Sequence, residues 1–180
     1  MLSSIQIDPR IITNIDDLIE RDHLAGQFRP TAVAVVQRES GNLMRGREVL
    51  FLRSAKSEDS WNFLQGGIEP GEKVIAGLFR ELAEEVTIPS VLVQSCAFCL
   101  RSEIKVPGKV LRDGFNSGKS YYYFGLRCLG KPQVRLNLAE VCDHKWLPLA
   151  EAVTFIGTLK KRDTQKRTDM LFALQKALLA

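Results

Sequence analysis

One short segment that changes from an extended to a helical pattern across two glycines constrains this chain more than any other feature. The run WNFLQGGIEPGE breaks into glycine and proline, and KVIAGLFRELAEEV follows it with apolar residues at Val74, Leu78, Leu82 and Val86. A spacing of four residues is typical of one face of a helix. The sequence therefore predicts a strand, a tight loop and a helix in direct succession.

The predicted helix carries three glutamates on one face. Glu81, Glu84 and Glu85 stand at positions i, i+3 and i+4, which lie side by side on a helix. Two carboxylates about 6 Å apart repel by about 3 kcal/mol at an effective dielectric of about 20, so the cluster favours a bound cation. Mg²⁺ prefers carboxylate and water oxygens and bridges to phosphates, with Mn²⁺ as an alternative. The competing interpretation is an exposed acidic helix face, because runs of charge are usually solvated.

Two neighbouring features favour a functional site over a solvated helix face. Gly66 and Gly67 allow the backbone to turn sharply and to expose a carbonyl beside the helix. Glu72 lies eight residues before Arg80, a spacing that predicts an ion pair folding the loop back onto the helix. Such a pair would orient the carboxylate face.

Residues 66–88 resemble the Nudix box, G-x5-E-x7-R-E-U-x-E-E-x-G-U, in which U is a bulky aliphatic residue. Every fixed position matches except one, where Thr87 replaces glycine. The matching residues are Gly66, Glu72, Arg80, Glu81, Leu82, Glu84, Glu85 and Ile88. Glycine at that position would supply a permissive helix end, so Thr87 requires another way to terminate the helix.

The resemblance implies a Nudix-type α/β/α sandwich with a mixed sheet and a strand-loop-helix metal site that cleaves a diphosphate linkage by water attack. The metal ligands that it implies are Gly66 through its carbonyl, Glu81, Glu84 and Glu85. Arg80 and Glu72 complete the catalytic segment. The general base varies among relatives, and the candidates here are Glu81, Glu84 and Glu140.

The segments outside the box leave the substrate open. WNFLQGGI resembles the WxFPQGGI run of bacterial RNA 5′-pyrophosphohydrolases and dinucleoside polyphosphate hydrolases, with Leu64 in place of proline. Glu140 and Trp146 match the E-x5-W spacing of that group, where the glutamate contributes to the metal site; the alternative is a surface carboxylate. The EEVTI ending and the KWL stretch resemble dihydroneopterin triphosphate pyrophosphatases instead. A further alternative is a Nudix-like ligand-sensing module without catalysis.

Four residues outside the box are candidates for substrate binding. Arg53 is expected near the cleft of the family layout, and Trp61 begins the run that resembles WxFPQGGI. Tyr121 and Tyr123 offer a stacking platform for a base or pterin ring, and the alternative is that these tyrosines are strand residues divided between core and surface. The expected partner is a small nucleotide or related diphosphate, and an RNA 5′ end is kept among the candidates.

The rest of the chain predicts elements in an order typical of an α/β fold. Helical patterns cover 11–25, 149–156 and 163–180, and strand patterns cover 31–38, 48–54, 91–104, 119–129 and 145–149. The first two strands are expected to form a hairpin with a long loop. We expect one domain over residues 1–180, in which 1–28 form an N-terminal helical extension.

Composition excludes several classes of protein. The net charge of +4 is a mild bias toward polyanionic ligands, so DNA is not an expected partner. No stretch approaches the ~18 apolar residues of a membrane span and no signal peptide pattern is present, which predicts a cytoplasmic protein without a membrane partner, either monomeric or homodimeric. Cys96 and Cys99 are three apart in a strand pattern and so face opposite sides, which favours structural thiols over a redox or zinc pair.

Overall fold

A mixed sheet forms the centre of the fold. The computed structural model describes residues 9–41, 46–56, 60–105, 114–159 and 164–179. The strands of this part are β1 (Phe28–Glu39), β2 (Arg47–Ser54), β3 (Trp61–Asn62), β4 (Leu64–Gly67), β5 (Val93–Lys105), β6 (Gly118–Cys128) and β7 (Val141–Pro148). The helices are α1 (Pro9–Ala25), α2 (Val74–Val86), α3 (Leu149–Thr158) and α4 (Thr164–Leu179).

Helices cover both faces of this sheet, as the sequence predicts. On one face α1 and α2 contribute Ile19, Leu78 and Leu82 to a core that includes Tyr122 and Phe124 of β6. On the other face α3 and α4 contribute to a second core. Its residues include Val33, Phe51, Tyr121, Tyr123, Ile156 and Leu174. Because alternate residues of a strand point to opposite faces, the two cores share the same strands. The predicted α/β/α sandwich is confirmed.

Strand β1 lies at the centre and pairs with three neighbours. It runs parallel to β6 from Phe28 to Arg38, and antiparallel to β2 over Gln37–Glu39. Strand β4 pairs with Thr31–Ala34 on the same edge of β1 as β2. This pairing brings Gly66 and Gly67 to the middle of the sheet. The predicted hairpin of the first two strands is therefore confirmed, but it is short because β4 occupies the rest of that edge.

Strand β7 is longer than its sequence pattern predicts. It begins at Val141 rather than at residue 145, because it pairs with β2 along nearly its whole length. The extension places the start of β7 beside Ser54, at the end of β2.

The prediction that Cys96 and Cys99 face opposite sides of the sheet is confirmed. All four cysteines are free thiols. Cys96 belongs to the core under α1 and α2, whereas Cys99 packs against the opposite core. Burial raises the pKa of Cys96 to about 12, so its thiol is unreactive.

Among the helices described here, none has the length and hydrophobicity to cross a membrane.

Candidate functional site

Arg80 ties the loop to helix α2, and the predicted ion pair with Glu72 is present. Arg80 Nε and Nη2 donate to the two carboxylate oxygens of Glu72 at 2.9 and 3.0 Å. Nη2 also donates to the Gly67 carbonyl at 2.8 Å. The guanidinium holds the pKa of the Glu72 carboxyl below its ordinary value. A bidentate pair fixes direction as well as distance, so the loop and the helix are held as one unit.

The same guanidinium reaches the carboxylates that follow it on the helix. Arg80 Nη1 donates to Glu81 Oε1 at 2.7 Å and to Glu84 Oε2 at 3.1 Å. Its positive charge thus offsets part of the repulsion between these carboxylates. Glu85 has no such bond to Arg80 among the contacts of the described residues.

Two glycines let carboxylates approach the backbone closely. A Cβ atom on Gly66 would overlap the carboxylate of Glu81, and one on Gly77 would lie 2.9 Å from Glu72 Oε2. Gly66 is part of the sequence pattern, whereas Gly77 was not singled out by it. Both positions require a residue without a side chain because the acidic groups fill that space.

Thr87 ends α2 in a left-handed conformation, with φ 57° and ψ 30°. Its N–H donates to Ala83 O at 3.1 Å, and its hydroxyl donates to the carbonyl of Arg135 at 3.1 Å. The amides of Arg135 and Asn137 donate in turn to the carbonyls of Val86 and Glu85, each at 3.0 Å. The segment before β7 therefore caps the helix, which is how threonine replaces the glycine of the pattern.

This capping segment carries Glu140 to the site. The Glu140 N–H donates to Asn137 O at 3.0 Å, and its carbonyl accepts from the Ala55 N–H at 2.8 Å. The Glu140 side chain lines the same cleft as the box carboxylates. The structure therefore brings Glu140 together with the α2 glutamates from 55 or more residues away.

A cleft of about 610 Å³ contains these groups and is lined by both acidic and basic residues. We call the first the acidic wall, and its residues are Glu81, Glu84, Glu85 and Glu140. We call the second the basic wall, and its residues are Arg29, Lys56 and Lys119. Gly66, Gly67 and Phe63 also line the cleft. In the parallel register of β1 and β6, Arg29 pairs directly with Lys119.

The charges of each wall are crowded. Glu81 and Glu85 are each only 8% exposed. Burial raises the pKa of Glu81 above its ordinary value, and burial together with Glu81 and Glu140 raises the pKa of Glu85 to about 8. On the basic wall, burial lowers the pKa of Lys119, and Arg29 and Lys56 lower it further. Each wall is therefore suited to bind charge of the opposite sign.

The donors of the acidic wall fit Mg²⁺ or Mn²⁺, because these ions prefer carboxylate and carbonyl oxygens. In the described part of the chain, no three acidic, histidine or cysteine side chains lie together as a metal-binding group. Glu81 and Glu84 are instead held by Arg80.

The four candidate substrate contacts lie outside the described lining of the cleft. Tyr121 and Tyr123 are 6% and 0% exposed and belong to the core under α3 and α4, so neither ring presents a face for stacking. Trp61 packs edge-on against Phe155, with Lys145 Nζ 4.5 Å from its ring centroid. Arg53 forms a 3.5 Å ion pair with Asp143. Tyr122 is buried in the other core, so the tyrosines divide between two cores rather than between core and surface.

The basic wall was missed by the sequence reasoning. Arg29 and Lys119 stand at the starts of their strands, where a lone basic residue is an ordinary feature. Lys56 follows the end of β2. The parallel pairing of β1 with β6 brings Arg29 beside Lys119. Local sequence patterns do not predict strand order, so they do not predict this group.

Comparisons with known proteins agree with this geometry. A family model for the NUDIX domain matches residues 27–172. An RNA pyrophosphohydrolase of Pseudomonas fluorescens (strain SBW25) is 28% identical over 159 residues, covering 81% of this chain and 95% of the relative. In fold, the chain resembles an E. coli dihydroneopterin triphosphate pyrophosphohydrolase, with 21% identity, a TM-score of 0.61 and coverage of 86% and 99%.

A binary complex of a C. elegans Ap4A hydrolase has a TM-score of 0.62 and 21% identity, and the match covers 84% of this chain and 96% of that one. The family match runs from the start of the central sheet into α4 and includes the loop, α2 and both walls of the cleft. The chain therefore belongs to the Nudix family of hydrolases.

Proposed function

We propose that this protein is a Mg²⁺-dependent pyrophosphohydrolase that cleaves a diphosphate linkage in a nucleotide-type substrate. One observation carries the proposal: a single cleft brings the residues of the acidic wall and of the basic wall together. A diphosphate has anionic oxygens along its length. The basic wall can bind these oxygens directly, whereas the acidic wall can bind them only through a cation. The two walls thus match the two ends of a metal-bound diphosphate.

The residues of the cleft have three different roles in this proposal. Buried Glu81 and Glu85, with the Gly66 carbonyl, would hold the metal, which supplies charge neutralisation for the diphosphate. Glu72 and Arg80 hold the loop against the helix so that these donors face the cleft. Arg29, Lys56 and Lys119 bind the non-bridging phosphate oxygens.

The reaction is attack of a water oxygen on one phosphorus, cleavage of the bridging P–O bond and departure of the other phosphate with that oxygen. The attacking water gives its proton to a carboxylate. Glu84 and Glu140 are exposed and line the cleft, so solvent water reaches them, and Glu81 is the third candidate. These three assignments are separated by their pH–rate profiles after substitution by glutamine.

The substrate class is supported by the relatives rather than by the cleft. We propose a nucleoside triphosphate, a dinucleoside polyphosphate or an RNA 5′-triphosphate end, in line with the names of the relatives. Dihydroneopterin triphosphate is the second candidate, in line with the E. coli neighbour. A cytoplasmic location and one domain over residues 1–180 stay predictions.

The test is a panel of triphosphorylated RNA, diadenosine polyphosphates, dihydroneopterin triphosphate, nucleoside triphosphates and nucleotide sugars, incubated with and without Mg²⁺. We expect phosphate or diphosphate release from at least one member, only with the metal. Glu85→Gln should lower turnover about a hundredfold or more while the fold is kept. The matched control is Glu151→Gln, an exposed glutamate on α3. Tight binding of one member without turnover would favour the ligand-sensing alternative.

A further inference from the structure

Helix α2, which carries three of the four acidic-wall glutamates, lacks its own N-terminal cap. Lys73 is the N-cap residue and its side chain makes no capping hydrogen bond, and the first turn has no acidic residue. The first N–H groups of a helix have no partner within the helix and carry the positive end of its dipole. Glu81, Glu84 and Glu85 stand toward the other end, where the dipole disfavours negative charge.

Helix α1 supplies the missing cap. The N–H of Val74 donates to Asp16 Oδ1 at 2.9 Å. Val74 is fully buried and the Asp16 side chain is only 10% exposed, so water does not readily replace this bond. Lys73 Nζ lies 3.5 Å from Asp16 Oδ2, but it is 74% exposed and contributes little.

Helix α1 is firmly held against the rest of the fold. Ile15 and Ile19 are 4% and 2% exposed and pack in the core beneath α2. Near its other end, Asp22 accepts the hydroxyl of Tyr122 at 2.8 Å and the guanidinium of Arg101 at 3.1 Å. The cap is therefore fixed to the same sheet that carries the basic wall.

Helix α1 (9–25) also lies outside residues 27–172, which match the family model. The cap on the catalytic helix thus comes from a segment that the family pattern does not include. We infer that α1 is a positioning element for the acidic wall and that Asp16 is its positioning residue, setting the frame in which the α2 carboxylates bind a divalent cation.

The first test needs no metal and no substrate. Amide hydrogen exchange of the metal-free protein is compared for Asp16→Ala, Asp16→Asn and the control Asp17→Ala, an exposed neighbour on the same helix. Asp16→Ala should make the Val74 amide exchange about fivefold faster relative to a central β1 amide, which corresponds to a typical cap of about 1 kcal/mol. Asp16→Asn keeps an acceptor oxygen and should restore most of the protection.

A loss of general stability would not give this pattern, because it would raise the exchange of Val74 and of the β1 amide together. Equal relative protection of Val74 in Asp16→Ala and in the native protein would overturn the cap. Equal loss in Asp17→Ala would also overturn it.

The second test rests on the proposed function and measures Mg²⁺ binding by calorimetry. We expect the dissociation constant to rise about threefold to tenfold in Asp16→Ala, by the same cap contribution, and to stay near the native value in Asp16→Asn and Asp17→Ala. An unchanged constant in Asp16→Ala would overturn the positioning role. If the native protein bound no Mg²⁺, the proposed function would fail, while the exchange experiment would still decide whether α1 caps α2.

Discussion

The Glu72 carboxylate accepts two hydrogen bonds from Arg80, at 2.9 and 3.0 Å, in a side-on pair. Lysine keeps the charge but has no planar fork, so Arg80→Lys retains at most one of these bonds. It also loses the bond to the Gly67 carbonyl. We expect unfolding free energy to fall by about 1–3 kcal/mol and turnover by about tenfold or more, measured by urea denaturation and phosphate release. Native-like values in both assays would show that the fork is dispensable.

The metal-free protein should lose stability as pH rises, because burial and the neighbouring carboxylates raise the pKa of Glu85 from 4.5 to about 8. Between these values the folded state binds more protons than the unfolded chain, so the free energy of unfolding falls with increasing pH. The loss is complete above the folded pKa, and it amounts to a few kcal/mol at most.

Urea denaturation in the presence of a chelator, at pH about 5.5 and about 8.5, measures the fall in stability across most of this window. Glu85→Gln should flatten it, since glutamine does not titrate. Added Mg²⁺ should restore stability at the higher pH if the ion favours the ionised carboxylate. An identical slope in the native and Glu85→Gln proteins would contradict the prediction.

The left-handed conformation of Thr87 separates two substitutions at the end of α2. Alanine loses the hydroxyl bond to the Arg135 carbonyl and keeps the unfavourable φ, so Thr87→Ala should destabilise by about 1 kcal/mol. Glycine loses the same bond but adopts this φ without strain, at some entropic cost in the unfolded chain. Chemical denaturation should therefore find Thr87→Gly the more stable of the two. The reverse order would mean that the backbone at residue 87 is unstrained.

The basic wall should act on substrate affinity rather than on the metal. Lys119→Met removes a positive charge from the cleft, and we expect KM for the diphosphate substrate to rise about tenfold while Mg²⁺ affinity is unchanged. Because burial already disfavours the charged form of Lys119, stability should not fall. Lys105→Met, at an exposed position on β5, is the control. A changed kcat with an unchanged KM would point to a role in chemistry instead.

Local patterns predicted the catalytic segment well, because its signals are short in range. The helix was expected over 73–86 and runs over Val74–Val86, and the pair of Glu72 with Arg80 joins residues only two helical turns apart. Spacing alone sufficed for both. The pattern also predicted that the helix end at Thr87 needs a different termination. The residue that provides it, Arg135 through its carbonyl, lies 48 residues away.

Features that depend on strand pairing escaped the sequence. Alternation along β6 predicted that the tyrosines divide between core and surface, but both faces are covered, and α3 and α4 cover the side of Tyr121 and Tyr123. The partnership of Arg29 with Lys119 depends on a parallel register. The cap of Val74 by Asp16 joins two helices that are separate in sequence. Each is a tertiary contact without a local signature.

The pairing of Arg29 with Lys119 across 90 positions of the chain also has a consequence for synthesis. A ribosome that has made residues 1–90 has already synthesised the box, with its crowded carboxylates, but not the strand that completes the basic wall. Contacts of such long separation form late in folding. Under the proposed function, the growing chain therefore has the α2 carboxylates before it has a complete basic wall, and we expect substrate affinity to appear only after β6 docks beside β1.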